Sequence, residues 1–136
     1  MKVNMDREGL PFNAERKMSY NSRLAQELAK WAESQGKGEE IADALFRAYF
    51  VDVKNIGKPE VLASIAGDNG LAADEATDVL LSRKYKNAVD EDWRRCAALK
   101  VNAVPTFLAG RYMMVGAQPY EELERLVQHV TQGASA

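Results

Sequence analysis

The sequence contains a single cysteine, Cys96, and a single histidine, His129. One thiol builds neither an internal disulfide nor a cysteine-based metal cluster, and a lone unpaired cysteine suits a reducing cytoplasm. One histidine leaves the usual zinc, Cys-His and Ser-His-Asp sets without their parts, so no metal site and no catalytic set is expected. No run of about 18 apolar residues occurs, and the opening "MKVNMDREGLPF" has no apolar core of a signal peptide; the chain is expected to be neither secreted nor membrane-spanning. Charge of one sign is also missing: 18 Lys and Arg against 20 Asp and Glu give a net charge of -2. That balance provides no footprint for nucleic acid or an anionic membrane.

What is present is an ordinary globular composition, with 136 residues, 46% of them hydrophobic and 28% charged. This predicts one domain spanning 1–136. "NSRLAQELAKWAES" spaces Leu24, Leu28 and Trp31 for a helix that stops near Gly36 and Gly38. "EEIADALFRAYF" aligns Ile41, Leu45 and Tyr49, with Phe46 and Phe50 beside them, predicting a wide buried face. In "GKPEVLASIAGDNG", Pro59 suits a first helical turn and Gly70 a C-terminal stop. "ADEATDVLLS" begins with acidic residues, favourable at a helix N-terminus. "NAVDEDWRRCAALK" sets Val89, Trp93, Cys96 and Lys100 along one side of a fifth helix. A sixth helix starts near Pro119 with Leu123, Leu126, Val127 and Val130 facing inward, and the tail "GASA" is expected to be disordered.

Between the last two helices, "VPTFLAG" and "RYMMVG" read as a hairpin turning at Ala109-Gly110-Arg111. Its first strand opens on Pro105, which has no backbone N–H to give to a sheet and so belongs at a strand's first residue, an edge or a bulge.

Three segments in order, "EGLPFN", "ALFRAYF" with "IGKPEVLASIAGDNGL", and "VNAVPTFLAGRYMMVGAQP", resemble the DsbA-like thioredoxin-fold proteins. Within them the likeness is to the cytoplasmic FrnE-like branch of dithiol-disulfide oxidoreductases and isomerases. The resemblance implies an α/β thioredoxin-like fold with a large helical insertion at about 14–100, then a hairpin and terminal helix at about 101–130. It also implies that Val104-Pro105 is a cis peptide, and that Val104, Pro105 and Thr106 form the wall along which an extended protein or small thiol/disulfide substrate pairs. The family's N-terminal strand-Cys-x-x-Cys-helix-strand unit has no counterpart here, leaving about six helices and the C-terminal hairpin. Without two nearby thiols there is no cycling between dithiol and disulfide, so the chain alone is expected to be inactive.

Cys96 is expected to be a buried structural thiol, since free cysteine is among the most buried residue types. Its alternative is a single-thiol redox or glutathionylation site beside Arg94 and Arg95. His129 is expected at the surface, Met113-Met114 in strand packing, and Trp31 and Trp93 as core or interface anchors. The related glutathione-dependent 2-hydroxychromene-2-carboxylate isomerases offer a second enzymatic reading with glutathione as cofactor, and a non-catalytic peptide-binding module offers a third. The strand edge Thr106 to Ala109, deprived of the family's neighbouring strand, is an apolar pairing template, from which a homodimer is expected.

Overall fold

The computed structural model describes residues 2–15 and 17–135. It contains two compact units, Met1–Asp92 and Trp93–Ala136. The division falls within a helix, between Asp92 and Trp93.

The first unit is helical. A short α1 (Lys2–Arg7) is followed by α2 (Arg23–Ser34), α3 (Gly38–Phe50), α4 (Pro59–Asp68), α5 (Ala73–Ser82) and the first part of α6 (Lys86–Ala98). The opening segment, irregular in sequence, therefore carries a helical turn of its own. α2 ends where Gly36 takes φ +73° and the Lys37 N–H reaches back to the Ala32 carbonyl at 2.9 Å. Gly38 opens α3 instead of closing α2, and a Cβ there would lie 2.9 Å from Glu33 Cγ, so a larger residue would displace the exposed Glu33 side chain. Pro59 takes the first turn of α4, and Gly70 follows that helix at φ +86°.

Leu28, Trp31 and Ala32 of α2, Ile41, Leu45 and Ala48 of α3, Leu62, Ile65 and Ala66 of α4, and Ala76, Val79 and Leu80 of α5 form one buried cluster. Removing each large aliphatic side chain from water contributes roughly 1.5–3 kcal/mol, so this cluster is what holds the unit together. The alanines keep the helices close. The face of α3 is narrower than its sequence predicts: Phe46 is 63% exposed and stacks on Phe50, with ring centroids 6.4 Å apart, instead of entering the core. Ile41, Leu45 and Ala48 fill the interhelical space, and the ring one residue past Leu45 is turned out of it.

The second unit comprises the end of α6, β1 (Thr106–Ala109), β2 (Tyr112–Val115) and α7 (Tyr120–Ser135). β1 and β2 pair antiparallel, Thr106 opposite Val115 and Ala109 opposite Tyr112. Gly110 and Arg111 make a two-residue loop. Gly110 takes φ +60° and Arg111 does not, as a type II′ hairpin turn requires. Among the described residues no strand precedes Thr106. The expected disorder of "GASA" is not found, because α7 runs on through Ser135; Ala136 lies outside the described residues.

The Val89, Trp93, Cys96 stripe of α6 divides in two. Val89 is buried, but Trp93 is 55% exposed and Cys96 is exposed as well. The expected burial of Cys96 is thus overturned. A stripe is buried only where another layer lies against it, and from Trp93 onward no described residue reaches full burial.

Candidate functional site

The loop from Val101 to Thr106 is set by α6 on one side and the hairpin on the other. α6 ends with Lys100 at φ +61° and the Val101 N–H donating to the Cys96 carbonyl at 2.8 Å. This is the left-handed stop that satisfies orphan carbonyls at a helix end. The Val104–Pro105 peptide is cis. Gly116 N–H donates to the Pro105 carbonyl at 2.8 Å, extending the hairpin ladder by one rung, and Thr106 Oγ1 donates to the Ala103 carbonyl at 2.6 Å. Pro105 thus enters the ladder only as an acceptor, which removes the conflict between proline and strand.

Val104 is 90% exposed, the most exposed large hydrophobic residue of the described chain. Its backbone N–H and C=O have no hydrogen-bond partner among the described residues. An apolar side chain in water beside a free backbone donor and acceptor can pair one residue of an extended peptide. Pro105 is exposed beside it and Thr106 half-buried. Cys96 lies on α6, ahead of this loop in sequence and exposed.

The hairpin's two faces differ. Cross-strand partners share a face, so Phe107, Met114, Ala109 and Tyr112 lie on one side and Thr106, Val115, Leu108 and Met113 on the other. The first side meets α7: the Tyr112 and His129 rings make an edge-to-face contact at 4.7 Å. Arg111 completes that cluster, its guanidinium 5.3 Å from the Tyr112 ring centre and its Nη2 donating to the Tyr112 hydroxyl at 3.2 Å. His129 is exposed. Met113 and Met114 are strand residues, and among the described residues no cluster of His, Cys, Asp and Glu could hold a metal ion. No helix of the described residues is long and apolar enough to cross a membrane.

One polar assembly of the first unit was not anticipated from the sequence. Glu27 is fully buried. Arg83 donates to it from Nε at 2.9 and 3.2 Å and from Nη2 at 2.7 Å, and Arg23 Nε approaches at 3.4 Å. Arg23 also bonds the Lys86 carbonyl at 2.9 Å and the Asp90 carboxylate, which Lys86 Nζ reaches at 2.8 Å. The Arg83 hydrogen bond holds the Glu27 carboxyl below its ordinary value against the opposing effect of burial. Lys86 and then Arg23 bring Asp90 down to about 2. The available signal was position: Glu27 stands one residue before Leu28 and four before Trp31, on the apolar stripe of α2.

A family model for the DSBA-like thioredoxin domain matches residues 1–128. The protein YwbO of Bacillus subtilis (strain 168) is 28% identical over 105 residues, which are 76% of this chain and 52% of YwbO. The crystal structure of a probable DsbA oxidoreductase from Streptomyces coelicolor superposes with a TM-score of 0.80 at 28% identity, covering 98% of this chain and 57% of that one. The cytosolic disulfide reductase DsbM from Pseudomonas aeruginosa, solved with GSH, superposes with a TM-score of 0.66 at 18% identity, covering 94% of this chain and 70% of its own. The chain therefore spans about half the length of the first two. The seven helices and antiparallel hairpin of the described residues are those of the thioredoxin-like DsbA fold, and the chain belongs to the DsbA-like thioredoxin domain family.

Proposed function

We propose that this chain carries the substrate-positioning wall of a DsbA-type thiol–disulfide exchange site, in the FrnE-like branch of the family. The observation that carries this reading is Val104: 90% exposed, with its backbone N–H and C=O unpaired among the described residues. An extended polypeptide or a small thiol/disulfide substrate pairs its backbone with Val104, while Pro105 and Thr106 shape the wall. Exchange needs a thiolate that attacks the disulfide sulfur, forming a mixed disulfide and expelling a thiolate, and a second thiol that resolves the product. Cys96 is the only thiol of this chain. The reacting dithiol is therefore supplied by another segment or polypeptide, and the chain alone does not turn over. The compartment that fits a single unpaired thiol is the cytoplasm.

The test separates binding from turnover. Calorimetry with an extended cysteine-containing peptide should show binding, and Val104→Pro, which removes the free N–H, should abolish it, while insulin reduction with dithiothreitol stays at the uncatalysed rate. A peptide that binds Val104→Pro as tightly as the original would overturn the reading.

The exposure of Cys96 favours one further role, as a single thiol that accepts glutathione. Its thiolate would attack oxidised glutathione, forming the mixed disulfide and releasing one reduced glutathione. Mass spectrometry after incubation with oxidised glutathione detects the adduct. Calorimetry with reduced glutathione tests the isomerase-like alternative, in which the tripeptide binds without bonding to sulfur.

A further inference from the structure

A short segment joins the end of α6 to the hairpin. The Val101 N–H is bonded to the Cys96 carbonyl and the Pro105 carbonyl takes the Gly116 N–H, so Asn102, Ala103 and Val104 lie between two fixed points. Among the described residues, no backbone–backbone hydrogen bond involves any of these three. One hydrogen bond does reach them, from the Thr106 hydroxyl to the Ala103 carbonyl at 2.6 Å, an ordinary length for O–H···O. It spans the same step in sequence as the backbone bond of a β-turn, with a side chain as the donor. A threonine hydroxyl has a single proton to give, and here Ala103 receives it.

We propose that the Thr106 hydroxyl is a positioning group: through the Ala103 carbonyl it fixes the segment from Asn102 to Val104, presents the Val104 N–H and C=O to an extended peptide, and does not itself touch the substrate. The inference rests on the functional reading above and separates two roles within that wall, contact at Val104 and support at Thr106. A hydroxyl that donated to the substrate would first have to give up Ala103, and the segment would lose the bond that holds it. Apparent affinity falls with the fraction of molecules in the binding-competent form, so a group that orders the segment strengthens binding without any contact of its own. Donor and acceptor lie three residues apart in one loop, so the bond does not depend on what else packs beside β1.

The test compares Thr106→Val, which keeps the branched shape and removes the hydroxyl, with Thr106→Ser, which keeps the hydroxyl and loses the branch. In calorimetry on the full chain with an extended cysteine-containing peptide, Thr106→Val should bind about two- to tenfold more weakly, the worth of one ordinary hydrogen bond, and Thr106→Ser within about twofold of the unaltered chain. Thermal midpoints should run the other way, valine at or above threonine and serine below, because β-branched residues are favoured in strands. A residue that served only the strand would make affinity follow the thermal order. Nitrogen-15 relaxation on the peptide-free chain reads the segment directly: the order parameters of Ala103 and Val104 should fall from about 0.85 toward about 0.6 in Thr106→Val and hold in Thr106→Ser. Equal peptide affinity for Thr106→Val and the unaltered chain, an equal loss in Thr106→Ser, or unchanged order in Thr106→Val would each overturn the proposal. An unaltered chain that binds no peptide would overturn the functional reading instead, and relaxation would still decide whether the hydroxyl holds the segment.

Discussion

Arg83 holds the buried carboxylate of Glu27 with both Nε and Nη2, at 2.9 and 2.7 Å, although it lies 56 residues away in sequence. It does so from the left-handed position that closes α5, at φ +56°. The Arg83 side chain is 41% exposed while that of Glu27 is wholly covered. Truncating Arg83 to alanine leaves a buried charge supported only by Arg23. Because water can enter from the arginine side, the expected loss is at the low end for a broken buried pair, about 2–3 kcal/mol. Urea unfolding of Arg83→Ala measures it, and a loss below about half a kcal/mol would show the pair to be solvated in practice.

Acid should weaken the helical unit in a definite window. The folded-state pKa values of Glu27 and Asp90 are depressed, Asp90 to about 2. The stability they contribute is fully present above the unfolded carboxylate range near pH 4, and is lost as pH falls through the folded values. Thermal midpoints should therefore hold from pH 7 to about pH 5 and drop between about pH 4 and pH 2. The double variant Glu27→Gln, Asp90→Asn should start lower and show a shallower drop. Parallel profiles for the two proteins would remove these carboxylates as the cause.

Val53 adopts φ +55°, a region costly for a β-branched side chain. It sits just past α3, where the Lys54 N–H bonds the Ala48 carbonyl at 2.8 Å. Val53→Asn, which tolerates this conformation, should stabilise the protein by about 1 kcal/mol. A fall in the thermal midpoint would mean that packing of the half-buried valine outweighs its backbone strain.

Cys96 should react with a thiol reagent in the native protein without added denaturant, because it is exposed. The expected rate in buffer lies within about tenfold of that in denaturant, by stopped-flow absorbance, as access rather than unfolding limits it. Labelling that requires unfolding would contradict the exposure.

The helices α2 to α5 were legible because each carries an apolar stripe with a stop or start residue, such as Pro59 or Gly70, at its end. What periodicity could not supply was the presence of a neighbour. Trp93 and Cys96 continue the stripe that begins at buried Val89, yet both are exposed, and Phe46 belongs to an apolar face wider than the space available for it. The reverse holds for Glu27, whose polarity argued for the surface while its position on the stripe of α2 put it inside. Its partner Arg83 is far off in sequence, so no local pattern announced the pair. At the site, the hairpin followed from residue types, but the special standing of Val104, Pro105 and Thr106 came from resemblance; composition alone reads a proline at a strand's start as nothing more.

The lopsided exposure of the Glu27 clamp also fixes an order in which the sequence can drift. If Glu27 is replaced first by a neutral residue of similar volume, the stability of the pair is lost, but Arg83 is already 41% exposed and turns to water, so no buried charge is left without a partner. If Arg83 goes first, the carboxylate is stranded. Change at this position therefore has a less costly direction, acid before base, and descendants that keep the glutamate without the arginine should be rare.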